Sequence, residues 1–118
     1  MLTVVLIDDD PISTFVTEKL IEKNVQEPVR FFKFSDPRKA LIELRKIRPN
    51  FLFLDLNMPE MDGWSFLDSL NGESKDTNIY ILSSSVDERD INRAASYKMV
   101  KDYLAKPLVK TSISSIFH

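Results

Sequence analysis

Short apolar runs recur along the chain at Leu2 to Ile7, Val29 to Phe34, Phe51 to Leu54, Ile79 to Leu82 and Tyr103 to Ala105. They are rich in branched and aromatic residues, so the pattern predicts five strands. Between them, apolar residues fall at helical spacing: Ile12, Phe15, Val16 and Leu20, then Ala40, Leu41 and Leu44, then Phe66, Leu67 and Leu70. Asp87 to Met99 has only Ile91, Ala94, Ala95 and Met99 to bury, a thin stripe that predicts weak packing and permits motion. A last helix carries Ile113, Ile116 and Phe117 and stops early, at His118. Asp10 before Pro11 and Asp36 before Pro37 each set an N-cap acceptor ahead of a proline at the first helical position.

Strands alternating with helices imply an α/β fold: a doubly wound, flavodoxin-like, five-stranded parallel sheet with right-handed crossovers and helices on both faces. A strand buried on both faces reads as continuously apolar, whereas charge marks an edge. Arg30 and Lys33 interrupt the second run, and Lys101 and Asp102 flank the fifth, which favours the order 2-1-3-4-5. The first and third strands then neighbour each other at the topological switch point, where ligands bind beyond the carboxyl ends of strands.

A length of 118 residues with 43% hydrophobic and 29% charged composition fits one globular domain, residues 1–118, with no repeat or linker to divide it. The net charge of −2 supplies no basic stripe for a phosphate backbone, so direct nucleic-acid binding is not expected. The lack of cysteine rules out disulfides and thiolate metal sites. With no long apolar run and no leader pattern, no membrane association and a cytoplasmic location are expected.

The chemistry gathers at the expected strand ends. Asp8 and Asp9 follow the first strand and Asp55 the third, so three carboxylates converge on one crevice. Like charges at such separations repel unless a cation sits among them, and an all-oxygen site with room for water suits Mg²⁺. Asp10, by contrast, sits where an N-cap belongs. Ser83 follows the fourth strand and Lys106 the fifth; singly, each is an ordinary strand-end or surface residue. Phosphoryl transfer asks for positioning and charge neutralisation, which metal, ammonium and hydroxyl supply, with Asp55 as nucleophile.

These residues resemble the receiver domain of two-component response regulators from about Leu2 to Leu108, most specifically in FLFLDLNMPEMDG, Phe51 to Gly63. The resemblance implies that Asp55 is the phosphoacceptor, that Asp9 binds the metal directly and Asp8 often through water, and that Asn57 lends its backbone carbonyl. It implies that Ser83 is the switch hydroxyl, that Lys106-Pro107 is joined by a cis bond, and that Tyr103 rotates inward on signalling. Tyr103 also reads as a half-buried aromatic on an edge strand with its hydroxyl in water. The expected partners are a histidine kinase or histidine phosphotransfer protein and an unidentified downstream protein, met through the fourth helix, fifth strand and last helix. The resemblance is to stand-alone, non-enzymatic signalling domains; the expected state is a monomer, with dimerisation on phosphorylation as an alternative.

Some features depart from the family pattern or stand outside it. Tyr97 to Val100 lacks the family's Gly-Ala pair, so the preceding helix must end without glycine. Trp64 reads as lying near the pocket rim or covering the loop, and His118 as solvated. Arg38, Lys39, Arg45, Lys46 and Arg48 form a basic flank on the second helix that the chemistry does not require. Two other functions compete: a binding module that keeps the fold but not the reaction, and an aspartyl-nucleophile phosphohydrolase. The phosphohydrolase is disfavoured because Asn57 stands where those enzymes carry a second acid.

Overall fold

The computed structural model describes residues 1–70 and 76–117, so His118 lies outside the described residues. The elements are β1 (Leu2–Ile7), α1 (Pro11–Asn24), β2 (Val29–Phe34), α2 (Pro37–Ile47), β3 (Phe51–Leu54), α3 (Gly63–Leu70), β4 (Asn78–Ser83), α4 (Glu88–Ala95), β5 (Val100–Ala105) and α5 (Lys110–Ile116). The strands form one parallel sheet in the order β2-β1-β3-β4-β5, with Ile7 level with both Phe34 and Leu54. The charged runs are the edges, and β1 and β3, which carry no charged residue, lie in the interior.

Side chains alternate across the sheet and feed two cores. Val5, Ile7, Leu52, Leu54, Ile79 and Ile81 pack with α2, α3 and Ala94 of α4 on one face. Val4, Leu6, Phe53 and Leu82 pack with Ile21 of α1, Leu108 before α5 and Ile113 of α5 on the other. Burying a side chain such as Phe53, 2% exposed, stabilises by roughly 1.5–3 kcal/mol. Both proline-led caps form: Asp10 Oδ1 accepts the Ile12 N–H at 3.0 Å, and Asp36 Oδ1 accepts the Arg38 N–H at 2.9 Å.

The helical spacing misleads on α1. Ile12, Phe15 and Val16 are 73%, 58% and 46% exposed, and the buried face is Thr14, Thr17 and Ile21. Thr14 can face inward because its hydroxyl donates to the Pro11 carbonyl at 3.0 Å, which satisfies it within the helix. The fourth helix is also shorter than its apolar stripe suggests. Only Ala94 is buried, while Ile91 and Ala95 are exposed and Met99 lies beyond the helix, half-buried against the core. The end of α4 needs no glycine, since Ser96 and Tyr97 close it with N–H bonds to Arg93 and Ala94 carbonyls three residues back, both at 3.1 Å. Trp64 is buried, stacked on Tyr97 at 5.6 Å with the Arg93 guanidinium 4.6 Å from its ring centre, and so ties α3 to α4.

Candidate functional site

The sheet ladders continue past the ends of β1 and β3. Asp8 N–H donates to the Phe34 carbonyl at 3.0 Å and Asp55 N–H to the Ile7 carbonyl at 2.9 Å, which fixes the two carboxylates side by side. Both are 7% exposed, whereas Asp9 is exposed. Behind Asp55, Gly63 N–H donates to the Leu56 carbonyl at 2.9 Å. A Cβ at Gly63 would stand 2.9 Å from the Asp55 carbonyl oxygen, so only glycine lets α3 begin this close to the loop.

Asp8, Asp9 and Asp55 can each offer an oxygen within 4.8 Å of the others. Lys106 Nζ donates to Asp8 Oδ2 at 2.6 Å and lies 3.6 Å from Asp55 Oδ2. The remaining Asp8 oxygen accepts the Asp10 N–H at 2.9 Å, and Asp55 Oδ1 accepts the Asn57 N–H at 3.4 Å. Three carboxylates against one ammonium leave negative charge unmatched, and the donors are all hard oxygens, so the cluster fits a divalent cation of the Mg²⁺ type.

Burial raises the Asp55 carboxyl above its ordinary value; Lys106 opposes the rise and the charge on Asp8 adds to it. Burial alone would lower the Lys106 ammonium, but the Asp8 hydrogen bond and the charges on Asp55 and Asp8 outweigh it and hold the ammonium above its ordinary value. A cation among the acids favours the ionised form of Asp55 that a nucleophile needs.

Ser83 and Tyr103 belong to a second cluster at the ends of β4 and β5. Lys106 N–H donates to the Ser83 carbonyl at 2.9 Å, which joins this cluster to the acid pocket. Ser83 is fully buried, and its Oγ accepts the Ser85 N–H at 3.1 Å. The Tyr103 hydroxyl, which one sequence reading put in water, donates to the Ser85 carbonyl at 2.8 Å. Ser85 Oγ donates to Asp90 Oδ2 at 3.0 Å and accepts the Asp87 N–H at 3.3 Å. Ser85 is therefore the hub between strand end and helix, a role that the apolar pattern does not mark. Its signal was a hydroxyl two residues before Asp87, the N-cap of α4, where Ser side chains commonly close turns onto backbone N–H groups. The Lys106-Pro107 bond is cis.

A family model described as the response regulator receiver domain matches residues 4–118. The chain is 28% identical over 107 residues to a probable C4-dicarboxylate response regulator of Halalkalibacterium halodurans, covering 91% of this chain and 46% of that protein. It is 31% identical to a protein-glutamate methylesterase/protein-glutamine glutaminase of Leptospira interrogans, covering 92% of this chain and 31% of that protein. The chain thus spans less than half the length of these relatives. A two-component response regulator structure from Cytophaga hutchinsonii superposes with a TM-score of 0.88 at 26% identity, covering 98% of this chain and 92% of that one.

Proposed function

The chain belongs to the response regulator receiver domain family, and from that premise we propose that it accepts a phosphoryl group on Asp55 from a histidine kinase or histidine phosphotransfer protein. One Asp55 oxygen attacks phosphorus as the bond from phosphorus to the donor's imidazole nitrogen breaks, and the bonding pair leaves with that nitrogen. Lys106, already between Asp8 and Asp55, pairs with a phosphoryl oxygen without a large movement. Asp8, Asp9 and Asp55 with the Asn57 carbonyl would hold Mg²⁺, which when bound neutralises charge on the transferring group.

The Ser83 hydroxyl then turns to the phosphoryl group, and the Ser85 hub carries that change to Tyr103 and α4. The output surface in this reading is α4, β5 and α5, where a downstream protein binds. The domain acts on no substrate but itself; it is a cytoplasmic monomer at rest. Among the described residues no helix is long and apolar enough to cross a membrane.

The observation that carries this reading is the Lys106 ammonium 2.6 Å from Asp8 and 3.6 Å from Asp55, within a group of three carboxylates. Acetyl phosphate with Mg²⁺ is expected to add one phosphoryl mass to the intact chain and none to Asp55→Asn. Undiminished labelling of Asp55→Asn would remove Asp55 as acceptor. A wild-type chain that stays unlabelled with every phosphodonor would leave a binding module with a receiver fold.

A further inference from the structure

We infer that the β2 edge and the adjoining face of α2 form a docking site for an extended, acidic segment of a partner protein, which adds to the sheet as a strand beside β2. The inference does not depend on phosphoryl transfer, since none of its residues belongs to the acid pocket.

The backbone of this edge is available. The Leu2 and Asp8 N–H groups of the β1 side donate to the Pro28 and Phe34 carbonyls, both at 3.0 Å. Even-numbered residues of β2 therefore turn their backbone groups toward β1. Because backbone groups alternate along a strand, the N–H and C=O groups of Phe31 and Lys33 point away from the sheet.

The side chains beside that edge are apolar and only half covered. Phe32, Phe34, Ile42 and Ile47, with Lys39 and Glu43, line a groove of about 520 Å³ between β2 and α2. Ile42 is 67% exposed. An added strand would place every second side chain over this groove.

Charge selects the occupant. Arg30 lies 5.2 Å from the Phe32 ring centre on the same face, Lys39 lines the groove beside Glu43, and the exposed Lys46 follows one turn on from Ile42 along α2. Cations on an edge strand deter a second copy of the same strand, because pairing would bring two like-charged edges together. The same cations favour a strand that alternates acidic and apolar residues. Lys39 and Lys46 of the basic flank of α2, which the acid pocket does not use, acquire a role on this reading.

Amide NMR on the full chain, titrated with a blocked peptide of alternating Val and Glu, tests the site. The Asp55→Asn chain run alongside should behave the same, which separates this result from the fate of the phosphoacceptor reading. Shifts should concentrate on β2 and α2. Exchange of the Phe31 and Lys33 amides should slow, while that of Phe32 and Phe34, already turned to β1, should not. Ile42→Glu and Lys39→Glu should each weaken binding by about tenfold, the equivalent of ~1.4 kcal/mol.

Several outcomes would overturn the inference: no binding, shifts centred elsewhere, equal binding of a Val/Lys peptide, or equal binding by both variants. Concentration-dependent protection of Phe31 and Lys33 without peptide would replace the partner segment with a second copy.

Discussion

On the β1/β3 wall of the pocket, Asp8 and Asp55 are fixed by backbone bonds to Phe34 and Ile7, flanked by Val5, Ile7 and Leu54 with no exposure, and clamped by the Lys106 ammonium. On the β4/β5 wall, the side chains of Ser83 and Tyr103 are linked through the Ser85 backbone, and the helix beyond, α4, buries only Ala94. A net hydrogen bond is worth roughly 0.5–1.5 kcal/mol, whereas each buried aliphatic side chain contributes about 1.5–3 kcal/mol. The first wall is therefore a rigid charge template. The second is held by interactions small enough for one added phosphoryl group to redistribute.

The largest break in this contrast should come from Lys106→Met, which keeps the stem of the side chain and removes the ammonium. Two buried carboxylates then face each other uncompensated, and phosphorylation loses a fixed positive group. Labelling by acetyl phosphate is expected to slow by roughly 10²-fold, the usual loss for one such preorganised donor. A rate within a few-fold of wild type would mean that Lys106 serves only to hold Asp8.

Stability should divide along the same line. Ile21→Ala, at a fully buried position on α1, is expected to cost about 2–5 kcal/mol in urea unfolding. Ile91→Ala, at a position 40% exposed on α4, should cost under about 1 kcal/mol. Equal costs would show that α4 is as firmly packed as α1, and the proposed division of labour would fail.

The fold and the acid pocket were legible because they rest on features that period and spacing encode. Charge in the second and fifth runs marks the sheet edges, and that places Asp8 and Asp55 at neighbouring strand ends. The inward face of α1 was hidden because Thr14 buries a hydroxyl that the Pro11 carbonyl satisfies, so apolarity pointed to the wrong side. Ser85 was hidden for a related reason: its role lies in backbone and side-chain hydrogen bonds to Ser83, Asp90 and Tyr103 that no periodicity records.

Ser85→Ala sharpens the comparison at the movable wall. It removes the hydroxyl that joins Asp90 and the Asp87 N–H but leaves the Ser85 backbone bonds to Ser83 and Tyr103. A global loss of about 1 kcal/mol is expected, with hydrogen exchange quickened first in α4. Ser85→Thr, which retains a hydroxyl, should restore the slower exchange. Equal acceleration throughout the sheet would place Ser85 in the rigid half.

The smallest effect is a pH dependence. Asp36 and Asp87 cap α2 and α4 by the same device, each accepting the N–H and guanidinium of the arginine two residues on. Those hydrogen bonds hold both carboxyls below the ordinary value of 3.8. A carboxyl depressed in the folded state contributes stability that is fully present above its unfolded pKa. That contribution is lost as pH falls through the folded one, so both caps should weaken only below about pH 3.8. The consequences should differ, because α2 also buries Pro37, Ala40 and Leu44 whereas α4 buries only Ala94. On acidification, amide exchange should therefore quicken in α4 before α2, and Asp87→Asn, which caps without titrating, should remove that early step. Simultaneous fraying of the two helices would mean that tertiary packing secures α4 as well as it secures α2, and the contrast between the two walls would lose its structural basis.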